Sequence, residues 1–252
     1  MKQNWRSNAA KAFVRGFCDT QTAIVERTSA LLRGTNFPPT DLDAIVRSMG
    51  IKMRKEIIQG SGFLARNDNG LEIVCNPTQS PARQRFTIAH ELAHALIDQI
   101  APGFDQHNEE VEQLCNSIAA ELLMPREVCI RKLRSIRNVN HDLALSHVAE
   151  IAEIFQTSLE ATLYRCAEFL RVSVFIVADG GVQSVKGPLR ASDALLDEGL
   201  SALIRKATDG DSGTYELYLQ ADASVRLYRV HYRPSQSNRA LFLLTPQPSP
   251  EA

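Results

Sequence analysis

Apolar residues change their spacing several times along the chain, and each change predicts a different element. Residues 1–34 carry helix-like spacing around AKAFVRGF and TAIVERTSALL. NFPPT (36–40) reads as a turn, with Thr40 as N-cap of a helix over DLDAIVRSMG that Gly50 ends. Three short extended runs follow, IKMRKEII, GSGFLAR and LEIVCNP, split by QGSG and NDNG. An NDNG turn between alternating apolar residues is a hairpin signal, so the expectation is a small antiparallel sheet. At Ser80-Pro81 the period becomes helical, and PARQRFTIAHELAHALIDQI runs to about Ile100 before Ala101-Pro102-Gly103 stops it. A second helix, roughly 107–123, contains EEVEQLCNSIAAELL and ends at Met124-Pro125, and a short one covers REVCIRKLRS. Residues 141–170 give two more helical runs, HDLALSHVAEIAEIF and SLEATLYRCAEFL, joined by Gln156-Thr157. Their outline is that of a helix-turn-helix, although any helix pair with a short turn shares it.

Near residue 171 the composition shifts. RVSVFIVADGGV reads as a strand into a turn, ELYLQ, SVRLYRVHY and RALFLLT as three further strands, and SDALLDEGLSALIRKA as an amphipathic helix between them. The closing TPQPSPEA reads as a Pro-rich tail. The fold class expected is α+β. It comprises a mainly helical core with an N-terminal sheet over residues 1–130, a helix-turn-helix-like segment over 131–171, a small α/β domain over 172–246 and a disordered tail over 247–252.

Composition narrows the classes of function. Of 252 residues, 44% are apolar and 23% charged, enough to bury a core. Lys plus Arg total 28 against 29 Asp plus Glu, a net charge of −1, so any DNA contact needs a local basic patch. No apolar run reaches the roughly 18 residues of a membrane span. The start of the chain lacks the apolar stretch of a secretory signal. The five cysteines are odd in number and spread without a CxxC pair, which points to reduced thiols in a cytoplasmic protein.

The chemistry lies in FTIAHELAHALI (86–97), an apolar helix interrupted by His90, Glu91 and His94. Residues i and i+4 share one helix face, so the two imidazoles project together and are able to grip one Zn²⁺. Glu91 lies beside the metal rather than on it, placed to hold and deprotonate a water. HExxH alone also occurs on helix edges with no metal. A catalytic zinc needs a third protein ligand and an open fourth position, and the next helix offers Glu109, Glu110 and Glu112. Glu110 lies about 200° around the helix from Glu112, and Glu109, at the helix start, suits the N-terminal dipole. Asn116, one turn beyond Glu112 on the same face, has an amide able to fix a ligating histidine ring.

RFTIAHELAHALI followed by EQLCNSIAAELLMP resembles the ImmA/IrrE family of zinc metallopeptidases. The second motif matches at Glu112, Asn116, Ala119, Ala120, Leu122, Leu123, Met124 and Pro125, with Ile118 where the family usually has Phe. The resemblance covers residues 30–130 firmly and 131–170 loosely. It implies a zincin-like core with zinc held by His90, His94 and Glu112, and with Glu91 as general base. It also implies a protein substrate, an XRE-type helix-turn-helix repressor cut to induce genes in a stress or mobile-element response. Radiation-response members add a GAF-like sensor domain, which residues 172–245 match in size and strand content. An oxyanion stabiliser is expected among His141, His147 and Tyr164, each with a simpler reading as helix-start, helix-surface or packing residue. His107, in a loop before an acidic cluster, reads as solvated.

Two further readings stand beside the protease. One is a DNA- or protein-binding regulator using the basic residues Arg126, Arg131, Lys132, Arg134 and Arg137, with zinc in a non-proteolytic role. Against it, Glu91 has no purpose in a purely structural site, and structural zinc favours four protein ligands. The other is the protease component of a toxin–antitoxin or phage-defence system.

Overall fold

Asp41, not Thr40, caps the helix over residues 42–48. Both residues suit an N-cap, but the Asp41 carboxylate accepts the Ala44 amide, whereas the Thr40 hydroxyl finds a distant acceptor. Helix α1 spans Leu42–Ser48 and closes with Gly50 in the left-handed region at φ 69°. The Gly50 and Ile51 amides there donate to the Arg47 and Val46 carbonyls, a Schellman closure.

The computed structural model describes residues 28, 32, 38–68, 70–100, 109–136, 143–170, 172–178, 181–189, 198–221, 224–235 and 239–247. The helix expected over 1–34 lies outside them, apart from Thr28 and Leu32, which are helical, and so do His107, Arg137, His141 and most of the tail.

Three strands follow: β1 (Lys52–Lys55), β2 (Gly62–Asn67) and β3 (Gly70–Cys75). The expected hairpin joins β2 to β3, with Asn67 opposite Gly70. The sheet is mixed rather than antiparallel, because β1 pairs in parallel with β3 and the order is β1-β3-β2. The chain leaves β1 opposite Cys75, passes over the end of β3 and enters β2 opposite the same residue, which leaves the middle place to β3. Asn76 holds that crossing: its side-chain amide donates to the carbonyls of Ile58 (2.8 Å) and Gly60 (2.9 Å), and its backbone amide to Ser61.

Helices α2 (Pro81–Ile100) and α3 (Glu109–Leu123) pack on each other, and β2 and β3 pack on α2. The Ser80 hydroxyl accepts the Arg83 amide at the start of α2. Leu92, Leu96 and Ile97 of α2 and Leu122 of α3 are fully buried with Ile45 and Ile73. Each such side chain stabilises by roughly 1.5–3 kcal/mol. Helices α4 (Arg126–Ile136), α5 (Leu145–Phe155) and α6 (Leu159–Phe169) follow, with Gln156 at φ 54° between the last two.

The later residues form one five-stranded antiparallel sheet of order β5-β4-β8-β7-β6. Its strands are β4 (Ser173–Ala178), β5 (Gly181–Lys186), β6 (Gly213–Ala221), β7 (Ser224–Ser235) and β8 (Arg239–Pro246). The turn expected after β4 ends at Val182, inside β5, which no expected strand covers; GVQSVK carries too few apolar residues to announce a strand and is recruited by pairing with β4. Helix α7 (Glu198–Thr208) packs against β7 and β8, and Phe175, Val177, Leu203, Tyr228, Val230 and Phe242 fill the core of this part.

The fold is a mixed α+β one in two compact units, Met1–Val128 with Ile154–Thr157, and Cys129–Glu153 with Ser158–Ala252. Among the described residues, no helix is long and apolar enough to cross a membrane.

Candidate metal centre

The repeat of α2 sorts its residues by face. Ile88, Ala89, Leu92, Ala93 and Leu96 go to the core, and His90 and His94, one turn apart, meet at the surface turned towards α3. Their Nε2 atoms lie 3.1 Å apart. Glu112, near the start of α3, closes the group: Oε2 is 3.2 Å from His90 Nε2 and Oε1 is 3.4 Å from His94 Nε2. Zinc with ligand bonds of about 2.0–2.1 Å in tetrahedral geometry sets neighbouring donors about 3.3 Å apart, and the two Nε2 atoms and the Glu112 carboxylate, one oxygen facing each ring, stand at about that spacing. Among the described residues they form the one His/Cys/Asp/Glu group able to hold a metal ion.

The tautomer of His90 follows from its other nitrogen. Asn116 Oδ1, which only accepts, lies 3.0 Å from His90 Nδ1, so Nδ1 carries the proton and Nε2 is left with its lone pair. Phe86, one turn earlier on α2, sets its ring 6.0 Å from that of His90. Burial, followed by the neighbouring His94, holds the His90 pKa below the ordinary histidine value, while Glu112 and Asn116 pull it back up. A neutral imidazole is the form a metal needs.

Glu91 is 9% exposed. Burial raises its carboxyl pKa, against the opposing pull of His94 and of a hydrogen bond from the Leu64 backbone amide on β2. Cys115, buried on α3, has its thiol pushed up by burial and by the Glu112 and Glu91 carboxylates, so it stays protonated and outside the donor set.

Of the other acidic candidates on α3, Glu109 accepts from Gln113 at 3.4 Å and Glu110 is exposed; neither joins the group. His141 lies outside the described residues. His147, on α5, uses Nδ1 to accept the Ala144 amide at 3.1 Å, and Tyr164 sits half-buried on α6.

The wall of the site is not legible in the sequence. An open cleft of about 450 Å³ runs over the donors, lined by Phe63, Leu64, Arg66 and Leu71 of the β2–β3 hairpin and by Asp98 of α2. Phe63 is 46% exposed there, and Arg66 pairs with Asp98. Asp98 sits four residues past His94, a spacing that places it on the same face, but nothing in the sequence reports which edge of the sheet meets the helix.

The IrrE N-terminal-like domain profile matches residues 47–167, the segment that contains the whole donor group. Over this segment, just under half of its length, the chain is similar to the ImmA/IrrE family. The radiation response metalloprotease IrrE of Deinococcus radiodurans is 33% identical over 111 residues, covering 40% of this chain and 32% of that protein. The IrrE of Deinococcus deserti is 36% identical over 105 residues, 38% of this chain and 36% of that protein. These alignments span about a third of the length of either curated ImmA/IrrE relative. A solved Mycobacterium tuberculosis transcriptional regulator shares the fold at 15% identity, with a TM-score of 0.60 over 90% of this chain and 76% of that one.

Proposed function

We propose that the chain is a zinc-dependent endopeptidase in which His90, His94 and Glu112 hold the metal and Glu91 is the general base. The observation that carries this reading is the convergence of His90 Nε2, His94 Nε2 and the Glu112 carboxylate at 3.1–3.4 Å beside a second carboxyl, that of Glu91, which is buried and not among them. A structural site would close around four protein ligands; here three residues converge at the floor of an open cleft, and Glu91 is left for proton chemistry.

Zinc at such a site polarises a carbonyl and lowers the pKa of water towards about 7. The residues do the rest. Glu91, whose raised pKa brings it nearer to working pH, takes a proton from the attacking water and delivers it to the leaving amine. Asn116 keeps His90 in the one tautomer and ring angle that suit binding through Nε2. Phe63, Leu64 and Leu71 give the cleft an apolar wall for a substrate chain.

The substrate we infer is a protein, an XRE-type helix-turn-helix repressor, cut in the cytoplasm to release a stress or mobile-element response. The family resemblance supports it, as does the name of the Deinococcus relatives as radiation response metalloproteases. On the same grounds the first unit is a zincin-like peptidase core and the α/β part a GAF-like sensor. The test is to incubate the protein with the repressor-like product of its own operon, with zinc and then with chelator. Cleavage that chelator and Glu91→Gln both abolish supports the reading; cleavage that survives either one contradicts it.

A further inference from the structure

We infer that Thr40, a buried residue outside the motifs, is a positioning residue for the metal centre, because it ties the two ligand-bearing helices together; this rests on the metal reading above.

Thr40 is 1% exposed and makes a hydrogen bond to each helix. Its hydroxyl donates to the Leu122 carbonyl of α3 at 2.6 Å, and its own carbonyl accepts Nη2 of Arg85 on α2 at 3.0 Å. Leu122 belongs to the last turn of α3, where carbonyls have no partner within the helix, so the Thr40 hydroxyl satisfies a buried acceptor that would otherwise be stranded.

The tie acts along the length of the helices. Arg85 lies five residues before His90 on α2, and Leu122 lies six residues after Asn116 on α3. The helices run antiparallel, since positions falling along α2 (His94, His90, Arg85) meet positions rising along α3 (Glu112, Asn116 and, through Thr40, Leu122). Two links about 7.5–9 Å apart along the axes, at 1.5 Å per residue, hold both the register and the rotation of α3 against α2. Glu112 reaches the histidines from α3 alone, so its place in the donor group depends on that register. One link permits the helices to pivot about it; the second removes the pivot.

The test uses the full chain stripped of metal, with Co²⁺ as the probe, followed by visible absorption, and the melting of the metal-free protein measured alongside. Thr40→Val, close in shape but without the hydroxyl, should weaken Co²⁺ binding by about tenfold or more and change the d–d bands. Thr40→Ser should restore the affinity and the spectrum. A role confined to stability predicts instead a lower melting temperature for Thr40→Val with the same Co²⁺ affinity and the same bands, and that result overturns the inference. Should Thr40→Val not fold, Arg85→Gln removes the other half of the tie from a half-buried position; it should again weaken Co²⁺ binding, and unchanged binding and bands overturn the inference. A wild-type chain that takes up no Co²⁺ overturns the metal reading itself, and the role of Thr40 with it.

Discussion

Asn116 Oδ1 accepts from His90 Nδ1 at 3.0 Å, across the two helices that carry the donor group. The bond orients the ring and selects its tautomer in a single contact, which is what a ligating histidine needs from its surroundings. Asn116→Ala removes the acceptor and leaves His90 free to turn or to protonate Nε2. Zinc affinity, measured by competition with a chromophoric chelator, should fall by about 10–100-fold, with the protein still folded. An affinity equal to that of wild type would show that the bond does not organise the site.

The buried carboxyl of Glu91 makes a prediction about pH in the chelated protein. Its folded pKa is raised above 4.5, chiefly by burial, so the folded state holds the proton more firmly than the unfolded one. The stability gained is full below the unfolded value and is lost as pH rises through the folded pKa. Glu91→Gln should therefore melt higher than wild type at pH 7, and the difference should vanish towards pH 4.5. His90 has the opposite sign. Its folded pKa lies below 6.5, so the unfolded chain gains a proton first, and the contribution of His90 is present above 6.5 and lost as pH falls through the folded pKa. A His90→Gln chain should lose less stability between pH 7 and that value than wild type does. Thermal melts in chelator across this range check both.

Gly62 sits where β2 crosses α2. A Cβ built there would lie 2.4 Å from Thr87 Cγ2 and 2.6 Å from the Val74 carbonyl oxygen, and the second is backbone that cannot rotate away. Gly62→Ala should destabilise the protein by about 1–3 kcal/mol in urea unfolding. Because β2 also carries the Leu64 amide that bonds Glu91, cleavage should fall further than stability alone explains. A neutral Gly62→Ala would mean that the strand has room to move.

What the sequence made legible was local. His90, Glu91 and His94 follow from the helical repeat of residues 81–100, and the pairing of Glu112 with Asn116 from that of 109–123, since neighbours on one helix face are set by spacing alone. The joining of the two halves also came through, but by resemblance between motifs rather than by physics. Relationships between distant segments were not legible. The six residues between Lys55 and Gly62 look like a hairpin link, yet they carry the chain past β3 because Asn76 secures the crossing. Thr40 and Asp41 are equally good caps by type, and only the Leu122 carbonyl, 82 positions away, decides between them. The GVQSVK strand exists because β4 has an edge to offer, which no count of its own residues reports.

The metal content of acidic variants, measured by elemental analysis after purification in zinc, bears on the donor group itself. Wild type, Glu91→Gln and Glu110→Ala should each carry about one zinc per chain, and Glu112→Ala should carry little or none. If Glu112→Ala holds as much zinc as Glu110→Ala, the third ligand has been misassigned and the metal centre described here is wrong.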